Sequence, residues 1–139
     1  IASETARFNM IFTKRGVIPE SGSTMTLPRL IGTARALELV FTADAIDGRE
    51  AERIGMVNKV VPADQLMTAA KEMAAKISQN SPLAMGFAKA AIYKGANETD
   101  IAAQMDYEAY VESVLFNTAD FQEGIKSFME GRPAKFKGK

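Results

Sequence analysis

The sequence predicts an α/β protein, with strand and loop in residues 1–62 and helix from there to the end. Three observations carry that reading. Glycines and prolines punctuate the first part (Gly16, Pro19, Gly22, Gly32), and residues 56–61 read as a strand closed by Pro62. From Ala63 onward, apolar residues recur at helical spacing, as in Leu66, Ala70, Met73, Ala74 and Ile77. Apolar residues make up 47% of the 139, an ordinary globular share that argues against disorder. The expected organisation is a strand-and-loop segment over 1–62 followed by a helical region over 63–139.

In chain order, residues 1–9 read as extended and lead into an aromatic and β-branched stretch with Phe8, Ile11 and Phe12. Ser21, Ser23 and Thr24 are N-cap candidates for a helix through Leu27, Leu30 and Ile31 that stops at Gly32. Pro28 is tolerable there if it lies in the first turn. Thr33 should cap a second helix through Leu37, Leu39, Val40 and Phe41, apolar on nearly every side and so expected to be buried. Asp47 can cap a short helix over 48–54, ended by Gly55.

Beyond the strand, a helix over 64–79 breaks at Asn80, and Ser81 with Pro82 starts another that runs to Gly95. Asn97, Glu98 and Thr99 open a long helix through Phe116. Thr118 caps a last one to Met129, ended by Gly131 and Pro133. These later helices carry more apolar faces than one small bundle needs, so subunit contacts are expected.

Composition removes several chemistries. Seventeen basic residues balance seventeen acidic ones, so no net field draws the chain to nucleic acid or an anionic membrane. No apolar run approaches the ~20 residues of a membrane span. The chain holds no cysteine and no histidine, which excludes disulfides, thiolate catalysis and Cys- or His-built metal sites; no metal is expected. Acid–base work near neutral pH therefore falls to Asp, Glu, Lys or Tyr. The chain opens on Ile1-Ala2-Ser3, with neither an initiator Met nor a signal-peptide pattern. That opening reads like the end of a buried strand, so a fragment of a longer cytoplasmic protein is expected. Organellar targeting stays open, since its signal would lie upstream.

The chemistry gathers at residues 16–24, Gly-Val-Ile-Pro-Glu-Ser-Gly-Ser-Thr. Glycine lets backbone approach a ligand or take positive φ, and proline presets φ near −65°. Glu20 thus sits on a stiff turn at or just before a helix N-terminus. On the residues alone it is either a charge complementing the helix dipole, worth about 0.3–1 kcal/mol, or a carboxylate mounted for proton transfer. The tail basic residues Lys126, Arg132, Lys135, Lys137 and Lys139 are either a solvated end or a phosphate contact.

Five ordered blocks carry a resemblance. They are Leu27-Pro28-Arg29-Leu30-Ile31-Gly32-Thr33-Ala34-Arg35-Ala36-Leu37-Glu38-Leu39; Glu50-Ala51; and Gly55-Met56-Val57-Asn58-Lys59-Val60-Val61-Pro62. Ser81-Pro82-Leu83-Ala84 with Lys89 follows, and then Glu123-Gly124, Phe128, Arg132-Pro133 and Phe136-Lys137. In that order and over essentially the whole chain, they resemble the enoyl-CoA hydratase/isomerase (crotonase) family.

The resemblance implies the last part of a ββα spiral core, roughly 1–62, and then an α-helical region that builds homo-trimers, often paired into hexamers. It implies an acyl-CoA thioester as substrate, with coenzyme A entering as part of that substrate and no other cofactor. It also implies that the N-terminal half of the same enzyme, a partner to this chain, is absent. That half would carry two backbone N–H donors for the thioester enolate. Losing one such donor typically costs about 10²–10³ in rate, so residues 1–139 alone are expected to be inactive.

Family hydratases use two glutamates. One would lie upstream, and the other falls four residues after Phe8, where this chain has Phe12. The Pro-Glu-x-Gly turn instead resembles branches whose acid stands at the position of Glu20: Δ3,Δ2-enoyl-CoA isomerases, ring-epoxide isomerases and aryl-CoA dehalogenases. The expected activity is therefore an enoyl-CoA isomerase in which Glu20 moves the proton. The alternatives are an enoyl-CoA hydratase, an epoxide-isomerase-like or dehalogenase-like enzyme, or a non-catalytic oligomerising fragment. By family position Thr24 and Leu27 would line the acyl pocket, with Phe12 beside the substrate excluding water; Phe128, Lys135 and Lys137 would reach a CoA, in this or a neighbouring subunit, the two lysines at its phosphates. Their plainer readings are core aromatics, a helix cap and solvated surface.

Overall fold

The computed structural model describes residues 1–139 and contains four two-residue strands and seven α-helices. It forms two compact units, Ile1–Glu72 and Met73–Lys139. In the first unit, β1 (Ala2–Ser3) pairs in parallel with β4 (Val60–Val61), with Ala2 opposite Val60. Next, β2 (Arg7–Phe8) pairs antiparallel with β3 (Ile46–Asp47), with Arg7 opposite Asp47. The strand expected over 56–61 survives only in its last two residues. The N–H groups of Met56 and Val57 are spent on the carbonyl of Ala51, at 2.8 and 3.2 Å, so they cannot enter a ladder.

The helices α1 (Ser23–Ile31) and α2 (Thr33–Thr42) meet at Gly32, whose φ of +81° turns the chain between them. Gly32 ends the first helix and is the N-cap of the second, so Thr33 is a helical residue rather than a cap. The side-chain caps expected for α1 are absent too. Gly22 holds the N-cap position in the left-handed region, with no side-chain capping bond. Pro28 lies in the second turn, not the first, and removes the helical donor to the Thr24 carbonyl.

The core of this unit forms where these two helices pack. Ile31, Ala36 and Leu39 are buried there, with Met10, Leu27, Ile46, Ile54 and Met56 against them. The expectation that α2 is buried on all sides does not hold in this chain, since Phe41 is 71% exposed. Asp47 caps α3 (Gly48–Arg53) as its sequence predicts, accepting the Glu50 N–H at 2.8 Å. The start of α3 lies so close to β1 that a Cβ on Gly48 would meet the Ser3 carbonyl oxygen at 2.5 Å.

A 3-10 turn, Ala63–Gln65, leads into α4 (Leu66–Ile77). In the second unit, α5 (Pro82–Gly95) is capped by Ser81 and α7 (Ala119–Met129) by Thr118, both as expected. The cap of α6 (Ile101–Leu115) is Asp100, not residues 97–99, because the Glu98 carboxylate accepts the N–H groups of Thr99 and Asp100. Gln104 ties α6 to α5 through the Ala91 carbonyl at 3.2 Å, and the bare backbone of Gly95 makes room for it. Ile92, Tyr93, Ile101, Met105 and Tyr110 remain exposed on these two helices. No helix is long and apolar enough to cross a membrane.

Candidate active site

The turn that carries Glu20 is fixed from both sides. Upstream, the 3-10 segment Ile11–Arg15 is bound to the end of α2. The Thr13 hydroxyl donates to the Val40 carbonyl at 2.6 Å, and the Lys14 ammonium to the Ala43 carbonyl at 3.0 Å. Asn9 donates to the same Ala43 carbonyl at 3.2 Å. Gly16, at φ +73°, ends the segment, and Pro19 is buried.

Downstream, Ser21 at φ +56° and Gly22 at φ +77° occupy the left-handed region one after the other. For Ser21 that conformation is uncommon and is retained only because its surroundings impose it. They reverse the chain so that the Glu20 carbonyl accepts both the N–H of Ser23, at 3.0 Å, and its hydroxyl, at 2.6 Å. The Gly22 carbonyl receives the N–H groups of Met25 and Thr26, each at 3.0 Å. Glu20 itself is exposed and sits just ahead of the N-terminus of α1.

Beside this turn lies a cleft of about 190 Å³ between α1 and α2, lined by Pro19, Ser23, Thr24, Leu27, Pro28, Thr33, Ala36, Leu37 and Val40. Its walls are mainly aliphatic. The volume falls below the ~300 Å³ at which sites for whole drug-sized ligands begin, so it suits a small apolar group or the apolar end of a larger molecule. Thr24 and Leu27 are thus brought together next to residue 20. Phe12 is half-buried in the 3-10 segment and is not among the lining residues. Leu27 also faces a second hollow, with Phe8, Met10, Leu39 and Met56.

The remaining candidates lie in the second unit. A cleft of about 560 Å³ is lined by Lys126, Arg132, Lys135 and Lys137, together with Asp120 and Glu123. Both acids are already engaged. Arg132 donates to the two oxygens of Glu123 at 2.6 and 3.0 Å, and the Lys135 N–H adds a third bond at 2.8 Å. Those bonds, the Arg132 one foremost, hold the Glu123 carboxyl down to about 2. Lys135 and Lys137 therefore share one basic cleft. Phe128 does not line that cleft and is 87% exposed.

Two contributors were missed at the sequence level. Ser23 serves as an anchor for Glu20 rather than as a cap, and the buried Asp120 collects the tail; its only signal was an acid in the first turn after Thr118.

Comparison with known proteins bears on these sites. The family model described as enoyl-CoA hydratase/isomerase matches residues 1–139. A crotonyl-CoA hydratase of Syntrophomonas wolfei is 40% identical over 98% of this chain and 52% of its own length. A short-chain-enoyl-CoA hydratase of Clostridioides difficile is 42% identical over 92% of this chain and 82% of its own. The solved enoyl-CoA hydratase of Bacillus anthracis superposes with a TM-score of 0.94 at 37% identity, covering 99% of this chain and 53% of that one. The chain thus spans about half the length of the Syntrophomonas relative and of the solved Bacillus chain. The fold implied by the resemblance is the one these structures share.

Proposed function

The chain belongs to the enoyl-CoA hydratase/isomerase family, and on that premise we propose that its protein is an acyl-CoA enzyme that hydrates 2-enoyl-CoA thioesters. The observation that carries this reading is the identity of about 40% with relatives named as hydratases, spread over nearly the whole chain. In the proposed reaction water adds its oxygen to C3, the pair from the double bond passes into the thioester as an enolate, and C2 takes up a proton. Glu20 supplies one of the two carboxylates for this exchange, and a segment outside this chain supplies the other. The α1–α2 cleft, with Thr24 and Leu27, receives the acyl chain. Lys135 and Lys137 meet the CoA phosphates, and Phe128 packs on the substrate in the assembled enzyme. The exposed apolar residues of α5 and α6 support a homo-trimer, alone or paired into a hexamer.

One observation favours a second reading, the isomerase expected from the sequence. Phe12 stands where the resemblance expects a hydratase glutamate, leaving Glu20 as the acid of the turn. Glu20 would then take a proton from C2 of a 3-enoyl thioester and return it to C4 through the dienolate, with no water consumed. Supplying the full-length protein with 2-enoyl-CoA and 3-enoyl-CoA in parallel separates the two readings. Hydration removes the conjugated-thioester absorbance, and isomerisation creates it. Faster turnover of the 3-enoyl substrate would overturn the hydratase assignment.

A further inference from the structure

The C-terminal tail, residues 134–139, has no regular secondary structure, yet it is ordered by one acid. Asp120 is 3% exposed, and its donors are neutral ones. It accepts the Ser81 hydroxyl at 2.7 Å, the Lys137 N–H at 2.7 Å, and the Gly138 N–H at 3.1 Å to each oxygen. Its own N–H closes the ring by donating to the Lys139 carbonyl at 3.0 Å. Burying a carboxylate is unfavourable unless hydrogen bonds replace its water, and here the main chain of the tail does so. Burial pushes the Asp120 carboxyl up, but the bonds from Lys137, Ser81 and Gly138 outweigh it, so the group stays below its ordinary value and ionised.

The tail alternates in exposure as it passes this anchor. Ala134, Phe136 and Gly138 are half-buried, while Lys135, Lys137 and Lys139 are exposed in alternation with them. The Phe136 ring lies against Gly124, and the Lys135 N–H is held by Glu123. The backbone bonds made by Asp120 therefore decide which way the lysines face.

We propose that Asp120 is the positioning residue of the basic cleft, tying the tail's main chain to the start of α5 so that Lys135 and Lys137 present their ammonium groups to the phosphates of a CoA thioester. The proposal rests on the CoA-phosphate reading of those lysines given above. It assigns Asp120 no contact with substrate. Its effect belongs in the binding of the nucleotide part and not in the chemistry at the acyl end.

The test compares an enoyl-CoA with the enoyl-pantetheine thioester of the same acyl group, which lacks the nucleotide phosphates, using the full-length enzyme. In Asp120→Asn the KM for enoyl-CoA should rise about tenfold with kcat within about twofold, the size expected for loss of a charge-assisted bond that acts on binding. Kinetics with enoyl-pantetheine should be unchanged, and trypsin should cut the tail faster. The Lys135→Ala/Lys137→Ala double variant should raise the KM for enoyl-CoA in the same selective way. If the double variant leaves that KM unchanged, the phosphate reading fails and the proposal with it. If the double variant raises KM and Asp120→Asn does not, the phosphate reading stands and the role of Asp120 is overturned. Equal losses on both substrates would also overturn it, as the mark of general destabilisation. Should Asp120→Asn fail to fold, Ser81→Ala loosens the same anchor. A KM rise of about threefold confined to enoyl-CoA supports the proposal, and an unchanged KM overturns it.

Discussion

Ser23 holds Glu20 by placing two donors, its N–H at 3.0 Å and its hydroxyl at 2.6 Å, on one carbonyl. The helix that begins at Ser23 thereby gives up a side-chain cap, and the turn gains a fixed position for residue 20. Ser23→Ala removes the hydroxyl and keeps the N–H bond. At about 1 kcal/mol for such a bond, kcat of the full-length enzyme should fall about fivefold with KM nearly unchanged, and Ser23→Thr should restore it. Steady-state kinetics of the two variants check this.

Glu20→Gln preserves size and turn geometry while removing the proposed base. General acid–base groups typically contribute about 10²–10⁴ in rate, so turnover on either enoyl substrate should drop by that order. A loss of only a few-fold would reduce Glu20 to a complement of the helix dipole.

The Glu123 carboxyl, held at about 2 by Arg132 first and the Lys135 N–H second, against an ordinary 4.5, links stability to acid. A depressed carboxyl contributes stability that is fully present above its unfolded value and disappears as pH falls through its folded value. The difference in stability between the protein and its Glu123→Gln variant should be constant above pH 4.5 and shrink from there towards pH 2. Urea unfolding at a series of pH values reads that difference. Because the pair is partly exposed, added salt should reduce it.

Two glycines should respond in opposite directions to alanine. A Cβ at Gly48 meets the Ser3 carbonyl at 2.5 Å, so Gly48→Ala should cost about 1–3 kcal/mol as β1 and α3 are forced apart. Gly86, inside α5, has nothing within 4 Å of its Cβ position. Gly86→Ala should therefore add up to about 1 kcal/mol from helix propensity. Thermal unfolding of both variants compares the signs directly.

What could be read from the sequence was whatever depends on a residue and its immediate neighbours. Asp47, Ser81 and Thr118 each announce a helix start, and each caps one. Two of the failures share a cause: a residue's hydrogen bonds were committed elsewhere by contacts that sequence spacing does not show. Met56 and Val57 look like strand residues but spend their N–H groups closing α3. Ser23 looks like a cap but donates backward to Glu20. At the site, the glycines, proline and acid of the turn were legible because they are contiguous. The Asp120 anchor was not, since its partners Ser81 and Lys137 lie 39 and 17 residues away.

The turn beside the α1–α2 cleft grips residue 20 entirely through main chain: a buried Pro19, left-handed Ser21 and Gly22, and two donors aimed at a carbonyl that every amino acid possesses. Nothing in that grip discriminates among side chains at this position. The turn is a socket whose fitting can be exchanged. An aspartate or a glutamine seated there would inherit the same backbone, so on the proposed role of Glu20 a single codon exchanges the reacting group while the scaffold around it stays fixed.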